Sequence, residues 1–350
     1  MRIFVTGGAG YVGSHCVKDL CENGHEVVVF DNLSLGHREA VHPRATLIQG
    51  DLANTDQLGK ALASQRFDAV MHFAASAEVG ESVRDPLKYY RNNVANTLNL
   101  LEAMNRAGIR KMVFSSSCAT YGVPPEGQAI VETLPQSPIN PYGRTKLANE
   151  WMLRDSATGW GLGSCALRYF NACGAAADGS IGEDHDPESH IIPAVLQAAL
   201  GIRPNISIFG TDYPTPDGTC IRDYIHVEDL ASAHRLAIEA IQPGVAMAFN
   251  VGTGNGFSVR AVIDAARRVT GRNIPVVEGP RRPGDPPMLV ADPRKIKEEL
   301  GWQPRWTDID RIVESAWRWH STHPNGFNDD PSKPTAVVTG EAGSPAGITS

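Results

Sequence analysis

The segment Arg2-Ile3-Phe4-Val5-Thr6-Gly7-Gly8-Ala9-Gly10-Tyr11-Val12-Gly13 decides the fold of this chain. It starts with an apolar run that predicts a short β-strand, and it leads into the spacing of an amphipathic helix that ends near Asn23. Glycine stands at Gly7, Gly10 and Gly13, where the strand gives way to the helix. Such glycines permit a tight turn and let the backbone approach a pyrophosphate, while the helix N-terminus offers free N–H groups. The segment therefore predicts a dinucleotide-binding turn.

A second apolar run, residues 26–30, ends at Asp31, which lies 18 residues after Gly13. In dinucleotide-binding folds, an acidic residue about 20 residues after the glycines binds the hydroxyls of the adenosine ribose. A carboxylate there would repel the 2′-phosphate of NADP. The sequence therefore predicts a site for NAD, although an aspartate before Asn32 also suits a plain turn.

Apolar runs and helical patterns continue to alternate along the chain. We predict a long helix over residues 86–107, and further strands at residues 46–49, 69–75, 111–114, 164–170, 206–209 and 247–252. This alternation is typical of an α/β protein with a doubly wound parallel sheet of the Rossmann type.

The same pattern suggests a division into domains. Residues 1–170, joined by strands and helices that return from about 224–255, are expected to form an NAD-binding domain. Residues 171–325 are expected to form mainly a smaller α/β domain for the substrate. Residues 326–350 are rich in proline, glycine and serine without periodicity, and we expect a disordered tail there.

Residues of binding or catalytic type follow directly on predicted strands, or end them, at Gly7, Asp31, Asp51, Ala74 and Ser117. The carboxyl ends of parallel strands meet at one edge of a sheet, where ligands of such folds bind. The sequence therefore predicts a single site at this edge. For Ser117, a turn with a capping hydroxyl is the alternative interpretation.

The stretch Asn140-Pro141-Tyr142-Gly143-Arg144-Thr145-Lys146 predicts the start of a helix, with asparagine as N-cap and proline in the first turn. Tyr142 and Lys146 would then lie one turn apart on the same face. A lysine cation favours the phenolate, so we expect it to lower the pKa of Tyr142 and make the phenol a base for a sugar hydroxyl. The alternative is an ordinary solvated helix face.

Two arginines stand in unusual surroundings. Arg222 lies close to an aromatic residue, Tyr224, in the stretch of residues 218–226, and Arg282 stands just before a Pro-Gly turn. Guanidinium groups bind phosphate oxygens in a fork, so the pair is a candidate clamp for a diphosphate. A solvated loop at Arg281 and Arg282 is the alternative.

The composition excludes several classes of partner. The net charge is −7 and the pI is about 5.9, without a basic block, so we expect no nucleic acid and no anionic membrane as partner. No apolar stretch reaches the roughly 18 residues of a membrane span. The six cysteines show no metal-binding spacing, so we predict no metal site and free thiols. Met1 precedes a strand directly, without a signal sequence, and we expect a cytoplasmic protein.

Together these motifs resemble the extended short-chain dehydrogenase/reductases over about residues 1–325. The glycine turn, Ser115–Ser117 and the Tyr142–Lys146 pair are typical of that superfamily. The segments at residues 79–82, 168–171, 218–226 and 281–285 are similar to its UDP-glucose 4-epimerase branch.

This resemblance implies a reaction of galactose metabolism, the interconversion of UDP-galactose and UDP-glucose. NAD would stay bound and take a hydride from C4 of the sugar, giving a 4-keto intermediate. This intermediate would rotate within the pocket, and the hydride would then return to its opposite face. Tyr142 would take the proton of the C4 hydroxyl, and Ser117 would hydrogen-bond the reacting oxygen. Lys146 would bind the nicotinamide ribose, and together with the nicotinamide cation it would depress the Tyr142 pKa.

The resemblance also implies two sets of contacts. The expected cofactor residues are Gly7, Gly10, Tyr11, Val12, Gly13, Asp31, Asn32, Leu33, Asp51, Leu52, Phe73, Ala74, Ala75, Asn92, Ser115, Tyr142, Lys146, Tyr169 and Phe170. The expected substrate residues are Ser117, Asn171, His190, Arg222, Arg282, Asp285 and Leu289. Family members are often homodimers through the helices at residues 90–107 and after Pro141, and we expect the same here.

Several alternatives stay open. Cys118 and Ala119 follow Ser117 where dehydratases and decarboxylases of the family need an acid, so elimination of water is excluded. A 4-epimerase for UDP-pentoses or UDP-uronates, or a non-catalytic NAD-binding sensor, remains open. Leu289 stands where some members have a tyrosine that excludes N-acetyl groups, so UDP-N-acetylhexosamines are candidate substrates. His190 replaces an asparagine of some members and could equally be a plain loop residue.

Overall fold

The computed structural model describes residues 1–282 and 285–328. Its strands are β1 Arg2–Thr6, β2 Glu26–Asp31, β3 Thr46–Gln49, β4 Ala69–His72, β5 Lys111–Ser117, β6 Gly163–Tyr169, β7 Asn171–Cys173, β8 Ile206–Phe209, β9 Ile221–His226, β10 Ala246–Val251, β11 Gly256–Ser258, β12 Val276–Gly279 and β13 Met288–Leu289. Its helices are α1 Tyr11–Glu22, α2 Thr55–Ala63, α3 Val79–Arg84, α4 Pro86–Tyr89, α5 Asn96–Ala107, α6 Pro141–Trp160, α7 Ile191–Leu200, α8 Val227–Ala240, α9 Val259–Thr270, α10 Arg294–Leu300 and α11 Ile309–Thr322.

The large sheet has seven parallel strands in the order β3-β2-β1-β4-β5-β6-β10. The chain starts in the middle at β1, runs outward to β3, and then continues from β4 on the other side of β1. The predicted doubly wound α/β sheet is therefore confirmed. The reversal of strand order between β1 and β4 opens a crevice at the carboxyl ends, where ligands of such sheets bind.

Both faces of this sheet are covered, and β1 shows how the sequence achieves it. Ile3 and Val5 point to one face and pack in a buried cluster with Val17 of α1 and Leu230 of α8. Phe4 points to the other face, in a second cluster that includes residues of α2 and α5. Continuous apolar runs such as this one are typical of parallel strands that are buried on both sides.

A smaller region follows β6 in the chain. Strand β9 pairs with β7, β11 and β13, and β8 pairs with β12 in a two-stranded sheet. Helices α7, α9 and α11 pack together with β8 in a third apolar cluster. Strand β10 and helix α8 return to the large sheet, which they extend and cover respectively.

The structure differs from the sequence-based expectations in three places. The helix expected over residues 86–107 consists of α4, a π-helical segment Tyr90–Ala95 and α5. The strand expected to reach residue 75 ends at His72, so residues 73–75 lie in the loop beyond it. Gly326–Asn328 form a 3₁₀ turn in which Phe327 stacks on His37, whereas the rest of the expected tail, residues 329–350, lies outside the described residues.

No helix in the described part of the chain is both long and apolar enough to cross a membrane.

Candidate functional site

The glycine turn shows which of its glycines the protein itself requires. Gly7 has a φ of 73°, and a Cβ there would lie 2.4 Å from the backbone nitrogen of Ala74. A Cβ on Gly13 would lie 2.1 Å from the carbonyl oxygen of Gly7. At Gly10 the nearest atom is 3.6 Å away, so the turn leaves this position open toward a cavity. No side chain caps α1, so the N–H groups of its first turn remain available to an anion such as a pyrophosphate.

A cavity of about 440 Å³, which we call the sheet cavity, lies at the carboxyl ends of the first strands. It is lined by many of the residues expected to bind the cofactor: Gly7, Gly10, Asp31, Asn32, Asp51, Leu52, Phe73, Ala74, Ala75 and Asn92. Other expected cofactor residues do not line it: Tyr11, Val12, Gly13, Leu33, Ser115, Tyr142, Lys146, Tyr169 and Phe170. Its volume and its open glycine backbone fit the adenosine and phosphate part of a dinucleotide.

The lining also contains residues that the sequence analysis missed: Phe30, Ser34, Leu35, Gly36, Gly50, Ser76, Lys88 and Asn96. Lys88 and Asn96 flank Asn92 at a spacing of four residues, which would have placed all three on one helix face. A polar stripe on the face of a helix that packs near the strand ends was therefore an available signal.

The carboxylate of Asp31 is held in place by the backbone. It accepts hydrogen bonds from the N–H of Ala9 at 3.0 Å and of Leu33 at 2.8 Å. Leu33 has a φ of 57°, an uncommon conformation for a residue with a side chain. Leu33 therefore contributes to this site through its backbone. Each carboxylate oxygen keeps a lone pair for a further donor, such as a ribose hydroxyl.

Tyr142 and Lys146 lie on α6, which begins as the sequence predicts. The side chain of Asn140 caps the helix by accepting a hydrogen bond from the N–H of Gly143 at 2.8 Å. A Cβ on Gly143 would lie 2.5 Å from the carbonyl oxygen of Ala119, so glycine lets α6 approach the turn that follows Ser117. The sequence analysis did not assign this role to Gly143.

The three expected catalytic side chains are brought together and are largely buried. Burial raises the pKa of Tyr142 well above its ordinary value, although a hydrogen bond with Ser117 lowers it in part. The ammonium group of Lys146 lies 5.8 Å from the centre of the Tyr142 ring and donates to the carbonyl oxygen of Ser115 at 2.7 Å. Burial lowers the pKa of Lys146 to about 7.

The expected direction of the Tyr142 pKa shift is wrong for the protein without NAD. The sequence analysis expected a net lowering of the Tyr142 pKa beside Lys146, whereas burial is the largest influence and the net pKa is raised. The reason is that desolvation disfavours the phenolate as well as the ammonium ion, and spacing along a helix carries no information about burial.

A second cavity of about 570 Å³, which we call the arginine cavity, lies between β9, the start of α7 and the loop after β12. It brings together most of the expected substrate residues: Asn171, His190, Arg222, Arg282 and Asp285. Pro283 and Gly284 of the expected arginine motif lie outside the described residues.

Charged groups in this cavity are oriented by their neighbours. The guanidinium group of Arg222 forms an ion pair with Asp285. The guanidinium group of Arg282 lies 4.0 Å above the ring of Phe209, which also lines the cavity. The sequence analysis placed Phe209 at the end of a predicted strand but missed its place in this cavity.

Ser117 and Leu289 do not line the arginine cavity. Leu289 lies in β13, beside Arg222 of β9, and is partly buried against a cluster that includes Tyr121 and Phe170. Cys118 packs against the same cluster. Leu289 is therefore close in space to the turn after Ser117, and it packs against other apolar side chains there.

The loop before α7 contains a set of paired charges. The Nδ1 atom of His190 lies 2.9 Å from Glu183 and 3.0 Å from Glu188, and that of His185 lies 3.2 Å from Glu183. The ligand-type atoms of all four side chains lie within 4.8 Å of one another, a spacing that could also hold a metal ion. With protonated rings, these distances are those of ion pairs.

Tyr11 has a different contact from the one expected. Its hydroxyl donates to the carbonyl oxygen of Gly174 at 2.7 Å and so ties α1 to the loop after β7. Lys18 of the same helix pairs with Asp178 at 2.7 Å. Ser189 donates to Glu78 at 2.9 Å near the other end of this loop. The loop of residues 174–190 is therefore fastened to the part of the chain that carries the sheet cavity.

Comparison with known proteins assigns this architecture. A profile of the NAD dependent epimerase/dehydratase family matches residues 3–252. The UDP-glucose 4-epimerase of Lacticaseibacillus casei is 52% identical over 330 residues, which cover 94% of this chain and 99% of the relative.

Two solved structures are closely similar. The UDP-glucose 4-epimerase from Brucella ovis in complex with NAD has a TM-score of 0.87 and 50% identity, and the match covers 90% of this chain and 97% of that one. The UDP-glucose 4-epimerase from Bifidobacterium longum in complex with NAD+ and UDP has a TM-score of 0.89 and 37% identity, over 93% of this chain and 100% of that one.

Proposed function

Since the chain belongs to the NAD dependent epimerase/dehydratase family, we propose that it interconverts UDP-galactose and UDP-glucose. The chain is an enzyme that epimerises UDP-sugars at C4 with NAD. The observation that supports the proposed reaction most is that Tyr142 and Lys146 of α6 and Ser117 at the end of β5 lie together.

Contacts on both sides connect these three residues to the cavities. Asn93 donates to the backbone oxygen of Ser76, which lines the sheet cavity, and to the hydroxyl of Thr145 on α6 at 3.1 Å. On the other side, Phe170 packs in one cluster with Cys118, and Asn171 next to it lines the arginine cavity. A ligand in each cavity could therefore reach the same three side chains.

We assign NAD to the part of the chain built on the large sheet and the UDP-sugar mainly to residues 171–325. Gly10 and the start of α1 would hold the pyrophosphate, and Asp31 would accept hydrogen bonds from the adenosine ribose. When bound, NAD supplies the hydride acceptor and donor and, in its oxidised form, a positive charge.

The side chains of this protein would move the proton. Tyr142 accepts it from the C4 hydroxyl of the sugar and returns it after inversion, and Ser117 holds the reacting oxygen by a hydrogen bond. Because burial raises the pKa of Tyr142, the base becomes active only with a positive charge nearby. The charged form of Lys146 supplies part of that charge, since its pKa of about 7 leaves it partly protonated at neutral pH.

The arginine cavity suits a nucleoside diphosphate. Arg222 and Arg282 offer forked donors to phosphate oxygens, and the exposed ring of Phe209 offers a flat surface to a pyrimidine base. Asp285 orients Arg222 by their ion pair. We therefore assign this cavity to the UDP portion of the substrate.

A second candidate reaction is the 4-epimerisation of UDP-N-acetylhexosamines. Leu289 is smaller than a tyrosine and packs beside Phe170, close to the turn that follows Ser117. We expect Leu289→Tyr to abolish conversion of UDP-N-acetylgalactosamine while leaving UDP-galactose conversion within a few-fold. Equal loss for both substrates would contradict a role of Leu289 in selection. UDP-pentoses and UDP-uronates are the remaining alternatives, and no structural feature described here favours them.

We also propose that the enzyme is a cytoplasmic homodimer. Large apolar side chains are exposed on α3, α4, the π-helical segment, α5 and α6, at Val83, Leu87, Tyr90, Leu98 and Trp151. These helices neighbour one another, since the rings of Tyr89 and Tyr142 meet edge to face. A self-complementary helical face would cover them in a two-fold dimer. The six cysteines are unpaired, as in a reducing compartment.

The proposed function is tested by incubating the purified enzyme with UDP-galactose, without added NAD, and following UDP-glucose by nuclear magnetic resonance. Conversion is expected, because NAD should remain bound through purification. A parallel incubation with UDP-N-acetylgalactosamine examines the second candidate. Absence of conversion even with NAD supplied would refute the UDP-hexose assignment. Sedimentation equilibrium of the wild type and of Leu87→Glu examines the dimer, which the charged residue should dissociate.

A further inference from the structure

The feature that carries a further inference is the group Glu183, His185, Glu188 and His190, which we call the histidine–glutamate cluster. The side chains of Glu183 and Glu188 are both 3% exposed. Buried carboxylates need positive partners, because their desolvation is costly. Within the described residues no lysine or arginine side chain pairs with either carboxylate, so the partners are the two histidines.

The histidines respond to this environment. Burial by itself would lower the pKa of His190, but the charge of Glu183 and hydrogen bonds to both carboxylates outweigh it and raise that pKa. The same balance raises the pKa of His185 to about 9. These raised pKa values favour the protonated form of both rings at neutral pH, and two protonated rings would balance the two carboxylates.

Other groups around the cluster do not compete for this role. The Tyr11 ring packs edge-on against His185, and burial keeps its phenol neutral. His320 lies nearby, and burial lowers its pKa. Arg203 donates to the backbone carbonyl of Glu188 at 2.9 Å, and Asp184 pairs with His37.

His190 belongs to the cluster and to the arginine cavity at the same time. Its Nδ1 atom faces Glu183 and Glu188, and within the described residues its Nε2 atom makes no hydrogen bond. The side chain is 46% exposed, and the residue lines the cavity that contains Arg222 and Arg282. It is also the N-cap of α7, whose first residues line the same cavity. An N–H donor and a helix N-terminus thus stand together at the cavity wall.

Resting on the proposed function, we propose that Glu183 and Glu188 are positioning residues that hold His190 as a further cation for the diphosphate of the UDP-sugar. Asp285 neutralises part of the charge of Arg222, so an additional positive group favours a doubly charged diphosphate. His190 would donate from Nε2 to a phosphate oxygen, while the carboxylates orient the ring through Nδ1.

The test measures the charge of His190 and the binding of UDP separately. The pKa of His190 is followed by nuclear magnetic resonance of the full chain labelled at histidine, and UDP affinity is measured by calorimetry from pH 6 to pH 8.5. In the wild type, His190 is expected to stay protonated through pH 8, with nearly constant UDP affinity.

In Glu183→Gln, the largest influence that raises the pKa of His190 is removed, so this pKa should fall toward the ordinary value of about 6.5. UDP affinity should then match the wild type near pH 6 and weaken about tenfold by pH 8, with KM rising and kcat little changed. His190→Ala, which lacks both the charge and the N–H donor, should bind UDP weakly at every pH. The double variant should show the same flat profile, because the carboxylate acts only through His190.

Several outcomes would overturn the proposal. A wild-type His190 that titrates near pH 6.5, or a Glu183→Gln variant whose UDP affinity has no new pH dependence, would each do so. A stoichiometric metal ion found in the purified enzyme and lost in His185→Asn would reassign the cluster as a metal site. If His190 stays charged as expected but UDP does not bind the wild type, the assignment of UDP to this cavity fails as well. Glu188→Gln, which should lower the pKa of His190 by less, serves as a second variant if Glu183→Gln unfolds.

Discussion

The two cavities of this enzyme are built in different ways. The sheet cavity is lined by residues that follow consecutive parallel strands, together with one helix face, and all of them lie within residues 7–96. The arginine cavity gathers its lining from short strands, a helix start and loops between residues 171 and 285. The topology of a parallel sheet is enough to place the first lining, whereas the second depends on how separate loops pack against each other.

This difference indicates how each region holds its ligand. The sheet cavity presents backbone groups and small residues, so changes there should act through main-chain geometry. The arginine cavity presents charged side chains that other side chains orient, so changes there should act through affinity. Tyr142 and Ser117 line neither cavity. As the proposed base and its hydrogen-bonding partner, they should affect the rate of the chemical step.

The largest effect is expected for Tyr142→Phe, which removes the proposed base and leaves both cavities intact. Loss of a general base typically costs about 10²- to 10⁴-fold in rate. We expect kcat to fall by this factor with the NAD content and the UDP affinity unchanged. Steady-state assays, calorimetry and the absorbance of released nucleotide measure the three quantities. Tyr90→Phe on the exposed π-helical segment is the matched control, and a kcat of Tyr142→Phe within tenfold of the wild type would contradict the assignment.

The next effect concerns the backbone of the sheet cavity. In Gly13→Ala the new Cβ would lie 2.1 Å from a carbonyl oxygen, so the turn must shift. We expect loss of retained NAD and a destabilisation of about 1–3 kcal/mol from overpacking. Urea unfolding and the nucleotide content of the purified variant measure both.

Gly59→Ala is the control for that substitution. Gly59 lies inside α2, and a Cβ there would meet no atom within 4 Å. Alanine is favoured over glycine within a helix by about 0.5–1 kcal/mol, so this variant should be slightly more stable and keep its NAD. Retention of NAD by Gly13→Ala, at the level of this control, would show that the turn tolerates the shift.

A smaller effect is expected for a charged side chain of the arginine cavity. Arg282→Ala removes the guanidinium group that stacks on Phe209, and hydrogen bonds to charged groups contribute about 1.5–3 kcal/mol. UDP affinity should therefore fall by one to two orders of magnitude, with the NAD content unchanged. Arg281→Ala is the matched control, because Arg281 pairs with Asp212 at 2.7 Å and does not line the cavity. Equal losses in both variants would indicate a general charge effect rather than a specific contact.

The parts of the candidate site that depend on local strand, turn and helix signals could be predicted from the sequence. The glycine turn, Asp31 and the Tyr142–Lys146 pair follow from strand, turn and helix signals within a few residues of each. Phe209 was missed because its place depends on β8 pairing with β12, about 70 residues away in the chain. The direction of the Tyr142 pKa was wrong because burial results from tertiary packing, and spacing along one helix does not reveal it.

The smallest expected effect is on the pH dependence of stability, to which two groups of histidines contribute in opposite directions. Burial lowers the pKa of His72 to about 3 and that of His234 to about 4, and similar shifts occur at His15 and His226. These rings are neutral in the folded state, while in the unfolded state they bind protons near pH 6.5. Their contribution to stability is therefore lost as the pH falls below that value, by about 0.7 kcal/mol for each ring between pH 7 and pH 6.

The contribution of the histidine–glutamate cluster to stability depends on pH in the opposite direction. The pKa values of its histidines are raised in the folded state, so this contribution is complete below pH 6.5 and is lost as the pH rises. With His42 and His320, six rings have a lowered pKa and two have a raised one, so the free energy of unfolding should decrease from pH 7 to pH 6. In His234→Met this decrease should be smaller by about 0.7 kcal/mol, because one neutral ring is gone. The same variant also removes a buried Nε2 atom that has no hydrogen-bond partner among the described residues. Urea unfolding at the two pH values measures the difference, and an unchanged decrease in His234→Met would mean that His234 is not neutral in the folded enzyme.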